Sequence, residues 1–195
     1  MGKHGRGNFL ASCGQIGLLQ YRSPKSEARV FELVVKTPDG EFLARYSEKG
    51  MCGLEFPSGA RRRKSGLETR PARLPAQVCD WHAATAKALA RVLAGQPPEG
   101  LPPLDLSCGT DFQKRVWRAL RQIARGETRS YTEVARAIGQ PKAVRAVGGA
   151  CGANPIPVFV PCHRVLAANR RLGGFSGGLD WKRRLLESEG VQIAG

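Results

Sequence analysis

Asn154-Pro155-Ile156-Pro157-Val158-Phe159-Val160 leads directly into Pro161-Cys162-His163-Arg164-Val165. Prolines and an apolar run that deliver a Cys-His dipeptide to one fixed place are a strange use of sequence for packing alone. A free thiol with a pKa of about 8.5 is only slightly ionised at neutral pH, so a nucleophilic cysteine needs a base or a positive neighbour. His163 is the obvious base. In an extended segment adjacent side chains point to opposite sides, so His163 is expected to act on Cys162 through a water rather than by contact. The base in turn needs an orienting carboxylate. Glu189 falls between Leu185 and Leu186 on the wheel of the last helix, and a carboxylate on an apolar face demands a partner. The expected relay is Glu189, His163, water and Cys162; a frayed helix end with Glu189 in solvent fits the spacing equally well.

The elements that must hold this relay are legible in outline. Val30 to Lys36, Glu41 to Tyr46 and Met51 to Phe56 read as a three-stranded antiparallel meander with turns at Pro38-Asp39-Gly40 and Lys49-Gly50. A helix follows from an Asp80 cap to Leu93, with Gly95 as its stop and a basic loop, 57 to 75, before it. The Pro/Gly-rich stretch 95–103 marks a linker, dividing the chain into residues 1–94 and 104–195. In the second unit Asp111 to Ile123 carries an apolar stripe, Phe112, Val116, Leu120 and Ile123. Ser130 and Glu133 form a capping-box pattern for a helix from Thr132 to Ile138. Gly139-Gln140-Pro141 then turns the chain, with Pro141 suited to the first position of a third helix. Two short helices around a Gly-containing turn match helix-turn-helix DNA binding. On the third helix Val144, Val147 and Cys151 cluster, while Lys142, Arg145, Ala146 and Gly149 face away. That outer face would let DNA approach closely, and it would equally suit a helix packed through small residues.

Charge narrows the partner. The formal net charge is +15, and attraction to polyanions is its direct consequence. Residues 108–195 carry net +9, against +6 for residues 1–107, so the nucleic-acid surface is expected in the second unit. The run Arg61-Arg62-Arg63-Lys64 also reads as a solvated loop. Cys13, Cys52, Cys79, Cys108, Cys151 and Cys162 are scattered without a C-x-x-C pair, and His4, His82 and His163 lie outside zinc spacing, so a reduced, metal-free protein is expected. The first twenty residues lack the apolar run of a signal peptide and no run long enough to span a membrane exists, which predicts a cytosolic or nucleoid location.

The Pro161-Cys162-His163-Arg164-Val165 string, with Arg145-Ala146-Val147-Gly148-Gly149-Ala150 and Asn154-Pro155, resembles the signature of the 6-O-alkylguanine-DNA alkyltransferases, the methylated-DNA–protein-cysteine methyltransferases. The likeness continues in Gly109-Thr110, Phe112-Gln113, Val116-Trp117, Gly126-Glu127-Thr128, Ser130-Tyr131, Gly174-Phe175-Ser176-Gly177-Gly178 and Glu189-Gly190, and more weakly in Gly50-Met51-Cys52-Gly53-Leu54. It implies an α/β RNase H-like N-terminal domain plus a mainly α C-terminal helix-turn-helix, winged-helix-like domain. It further implies a monomer that binds double-stranded DNA through the minor groove with little sequence specificity. Carried over, Arg145 fills the gap left by the rotated nucleotide, Tyr131 aids the rotation and protonates the purine at N3, and Ser176 donates to the 6-oxygen. Lys142, Ala143, Ala146 and Gly149 complete the DNA face. Asn154 is a hinge between site and helix, Val158 and Phe159 line the pocket, and Phe175 stands where some members have tyrosine. The implied reaction is one irreversible alkyl transfer to Cys162 per molecule, without cofactor or metal, in the cytoplasm of a prokaryote or the nucleus of a eukaryote. Alkyl size and the acceptance of 4-O-alkylthymine stay open.

Three other readings compete. A non-catalytic damage-recognition relative would lack the nucleophile that Cys162 supplies. A cysteine hydrolase or sensor would turn over many acyl groups. A helix-turn-helix regulator would tolerate Cys162→Ala.

Overall fold

A computed structural model describes residues 29–57 and 74–193. The Arg61–Lys64 run, His4 and Cys13 lie outside the described residues, as does most of the loop expected over 57 to 75.

Three strands, β1 (Phe31–Thr37), β2 (Gly40–Ser47) and β3 (Gly50–Glu55), form an antiparallel sheet in the order β1-β2-β3. Thr37 pairs with Gly40 and Ser47 with Gly50, so each connection is a tight two-residue turn. Gly50, at φ +138°, is held to glycine for a second reason: a Cβ there would stand 2.1 Å from the Pro103 carbonyl oxygen. Period-two alternation turns Leu33, Val35, Phe42, Ala44 and Tyr46 inward. They meet helix α1 (Ala76–Leu93), which buries Val78, Thr85, Ala88, Leu89 and Val92.

Helix α1 begins a turn earlier than its sequence indicates. Its N-cap is Pro75, not Asp80, and the Pro75 carbonyl accepts from Val78 N and Cys79 N. The extra turn carries Val78 into the core, and that burial outweighs the capping preference of an aspartate. Gly95, at φ +71°, ends the helix as expected.

The stretch after it is not a loose tether. Met51 N donates to Pro103 O at 2.8 Å and Asp105 N to Met51 O at 2.7 Å, so the chain runs beside β3 in a short parallel bridge at Leu104. One apolar core continues from Leu33 and Leu89 through Trp117 to Val160 and Leu185.

Helix α2 (Asp111–Leu120) opens on a Thr110–Gln113 capping box and stops three residues short of the expected Ile123, which is nevertheless buried. Strand β4 (Arg129–Ser130) pairs in parallel with β5 (Val165–Leu166), a link between neighbours of the reactive turn that sequence pattern did not indicate. Helix α3 (Tyr131–Ala137) starts on the Ser130–Glu133 capping box. Helix α4 (Val144–Gly152) has Ala143 as N-cap, so Pro141 and Lys142 sit in the preceding turn rather than in its first turn. Helix α5 (Leu179–Ser188) is capped by Gly178 at φ +88°, placing Asp180 inside its first turn instead of at the cap.

Candidate active site

Cys162 opens a single 3-10 turn, Cys162–Arg164, not an extended segment. The turn lets consecutive side chains leave in different directions from a compact knot. Cys162 itself is buried, at 4% exposure. Asn154 locks it. Its Nδ2 donates to Val160 O at 2.7 Å and to Cys162 Sγ at 3.1 Å, while its Oδ1 accepts from Ile156 N at 3.1 Å. Asn154 follows α4 closely, and its N–H donates to Cys151 O, so one amide ties the end of that helix to the sulfur.

His163 is fully buried. Its Nε2 lies 3.1 Å from Glu189 Oε1. A carboxylate can only accept, which assigns the proton to Nε2 and leaves the Nδ1 lone pair free. Among the described residues Nδ1 has no hydrogen-bond partner. Burial lowers the His163 pKa more than Glu189 raises it, so the ring is a neutral imidazole at physiological pH. Burial would raise the Glu189 carboxyl, but hydrogen bonds from His163 and Arg164 outweigh it and hold the group at about 2. Arg164 grips that carboxylate with both Nε and Nη2, at 2.9 Å and 2.7 Å, and donates from Nη1 to Ile123 O at 2.6 Å. Glu189 is thus the buried C-cap of α5, not a frayed end in solvent.

The Cys162 thiol is pushed up by burial, against the pull of the Asn154 amide and the Lys182 ammonium, so it rests protonated beside a neutral base. That pairing suits a nucleophile that is deprotonated as it reacts.

Sequence reading missed Lys182. It is completely buried, and Nζ donates to Val165 O at 2.7 Å and to Leu172 O, with Gly174 O at 3.5 Å. Burial lowers its pKa to about 8, with Cys162 and Cys151 pulling the other way. The signal was present: Lys182, Leu185, Leu186 and Glu189 recur at i, i+3, i+4 and i+7, so this cation shares the buried stripe.

Cys162 opens into a cavity of about 460 Å³ shared with Tyr131, Gly148, Cys151, Gly152, Gly174, Phe175 and Ser176. Tyr131, Phe175 and Ser176 are therefore brought together with the thiol. Val158 and Phe159 are not. They line a separate cavity of about 230 Å³ with Arg164 and Glu189, because a tight turn at Pro157–Val160, with Val158 at φ +79°, directs them away. Such a φ is strained for a β-branched residue.

On α4 the inner face, Val147, Ala150 and Cys151, is buried, and Trp117 Nε1 donates to Ala150 O at 2.8 Å. Arg145, Ala146 and Gly149 are exposed, as is Lys142 before the helix, while Ala143 is half-buried. Among the described residues a Cβ at Gly149 would meet nothing within 4 Å, so none of them packs on this small-residue face. Among the described residues no three His, Cys, Asp or Glu side chains stand together as a metal site.

Comparison with known proteins converges on one family. The model of the 6-O-methylguanine DNA methyltransferase DNA-binding domain matches residues 111–191. A methylated-DNA–protein-cysteine methyltransferase of Methanosarcina barkeri is 40% identical over 161 residues, covering 80% of this chain and 94% of its own. That of Mycobacterium tuberculosis is 57% identical over 96 residues, covering 49% of this chain and 58% of its own. The solved structure of Mycobacterium tuberculosis OGT in complex with DNA aligns with a TM-score of 0.65 at 39% identity, over 80% of this chain and 90% of that one. A likeness that spans nearly the whole of the Methanosarcina protein, and includes the segment that folds here into the thiol-bearing turn, places this chain in the methylated-DNA–protein-cysteine methyltransferase family.

Proposed function

We propose that this protein repairs DNA by taking the alkyl group of a 6-O-alkylguanine onto Cys162, once per molecule. The observation that carries the reading is a buried thiol at the edge of a nucleobase-sized cavity, next to a neutral imidazole whose far nitrogen is fixed by Glu189. His163 Nδ1 accepts the Cys162 proton through a water. The sulfur attacks the alkyl carbon, the carbon–oxygen bond breaks, and the electron pair passes to the purine. Tyr131, whose pKa burial raises, stays a neutral phenol able to protonate N3, and the Ser176 hydroxyl donates to the oxygen. A thioether is a poor leaving group, so the acceptor is spent.

The alkyl carbon is shielded within the base stack, so the nucleotide must rotate out. In this reading Arg145 fills the gap, and Lys142, Ala143, Ala146 and Gly149 lie along the minor groove. Two further parts of the reading come from the family. Residues 1–94 form an RNase H-like domain, and residues 104–195 a winged-helix-like one, with 95–103 between them. The protein acts as a monomer on duplex DNA, in the cytoplasm if prokaryotic and the nucleus if eukaryotic. No helix among the described residues is long and apolar enough to cross a membrane.

Incubation with a duplex bearing 6-O-methylguanine, followed by peptide mass spectrometry, is expected to place one methyl on the Cys162 peptide and none on a Cys162→Ser variant that still binds DNA. Methyl on another cysteine, or repeated turnover of an acyl ester, refutes the assignment.

A further inference from the structure

The N-terminal sheet has no part in the chemistry described above, yet its third strand and the residue that follows it, Phe56, touch both loops that frame the Cys162 cavity. Leu54 N donates to Pro155 O at 2.8 Å, one residue from the asparagine that holds the sulfur. Two residues on, the Phe56 ring meets the Phe175 ring edge-on, with centroids 5.3 Å apart. Phe175 and its neighbour Ser176 are cavity walls. Gly177 comes closer still: a Cβ there would stand 2.4 Å from the Phe56 ring, so the loop backbone rests directly on that ring. Phe56 has little freedom to yield. It is wedged between the fully buried Phe42 at 5.5 Å and Trp181 at 5.1 Å, which are themselves 5.3 Å apart. An Asp39–Arg184 ion pair closes the same seam.

We propose that Phe56 is a positioning residue for alkyl transfer: a fixed stop against the Phe175–Gly177 backbone that sets how far the Ser176 hydroxyl stands from the Cys162 sulfur across the cavity. The inference rests on the transfer function above and adds to it a reason for the sheet. Reacting atoms must approach to within about 3.5 Å in line, and a displacement of about 1 Å costs about a hundredfold in rate, so a wall free to drift is expensive. Leu54 and Phe56 together make β3 a caliper, with one jaw on the loop before Cys162 and the other on the loop after it.

The test is a double-mutant cycle read by single-turnover methyl transfer from duplex DNA. Phe56→Ala is expected to lower the limiting transfer rate by about tenfold, with affinity for undamaged duplex held within about twofold. Phe56→Tyr should restore the rate. Gly177→Ala alone should slow transfer comparably, because its methyl group pushes the loop off the ring. In the Phe56→Ala background the same change should add almost nothing, since the obstacle is gone. If Phe56→Ala does not fold, Phe56→Leu replaces it in the cycle. Equal slowing by Gly177→Ala in both backgrounds, or an unchanged rate in both single variants, overturns the proposal while leaving the function intact. A wild-type protein that accepts no methyl overturns the function itself.

Discussion

Glu189 gives the acid side of the stability curve a contribution that originates at the site itself. Its carboxyl sits at about 2 in the folded chain, below the ordinary value of 4.5. A depressed carboxyl stabilises the fold fully above its unfolded pKa and loses that contribution as pH falls through the folded one. The window is therefore pH 4.5 down to about 2. Denaturant titrations should show wild-type stability falling across that window, whereas Glu189→Gln is less stable at pH 6 and falls less steeply there, the remaining slope belonging to Asp105 and Glu133, whose carboxyls are also depressed, and to the buried His163. Parallel curves would show that the carboxylate gains nothing from His163 and Arg164. At this scale the grouping of Cys162, His163 and Glu189 was readable because histidines are few and a carboxylate on an apolar helix face is unusual. Arg164 and Lys182 were not, because long cations normally belong to the surface. Only the fold reveals that one clamps Glu189 and the other is sealed under three carbonyls.

Helices were legible in kind and less so in extent. Apolar periodicity identified α1, α2 and α5, and the Ser130–Glu133 capping box marked α3, whose start shifted by a single residue, but three starts moved further. Each moved for a tertiary reason: Val78 joins the core, the chain turns through Pro141 before α4, and Gly178 caps α5 beside a glycine pressed on Phe56. The Cys162–Arg164 turn replaced an extended segment because Arg164 N bonds back to Pro161 O and Val165 N to Cys162 O, contacts with no sequence signature. Helix α4 is the element whose two faces divide the labour, with Trp117 gripping its inner side and Arg145 projecting outward. Arg145→Ala is therefore expected to slow methyl transfer from duplex DNA at least tenfold, a loss of about 1.4 kcal/mol or more at the transition state. Transfer from the free modified base should stay near wild type. Equal slowing on both substrates would remove Arg145 from the gap-filling role.

For the molecule as a whole, composition pointed to the partner and pattern to a sheet followed by helices. The seam between them escaped, since nothing local in residues 54–56 announces contact with 155 or 175–177. A net charge of +15 makes salt the dominant control on binding. Affinity for undamaged duplex should fall linearly on a log–log plot against salt, and Lys142→Ala should reduce the slope by about 1. Anisotropy titrations at several salt concentrations measure this, and an unaltered slope would take Lys142 off the phosphate backbone.

Gly148, Gly152 and Gly174 form part of the cavity wall, and a Cβ at Gly152 or Gly174 would meet nothing within 4 Å. A methyl group can be added at either position without meeting any described residue, yet each addition removes space from the chamber. Mutation there works as a one-way ratchet: variants can grow choosier about the lesion they admit at almost no expense in folding, but no substitution at a glycine can make the chamber more permissive than it already is.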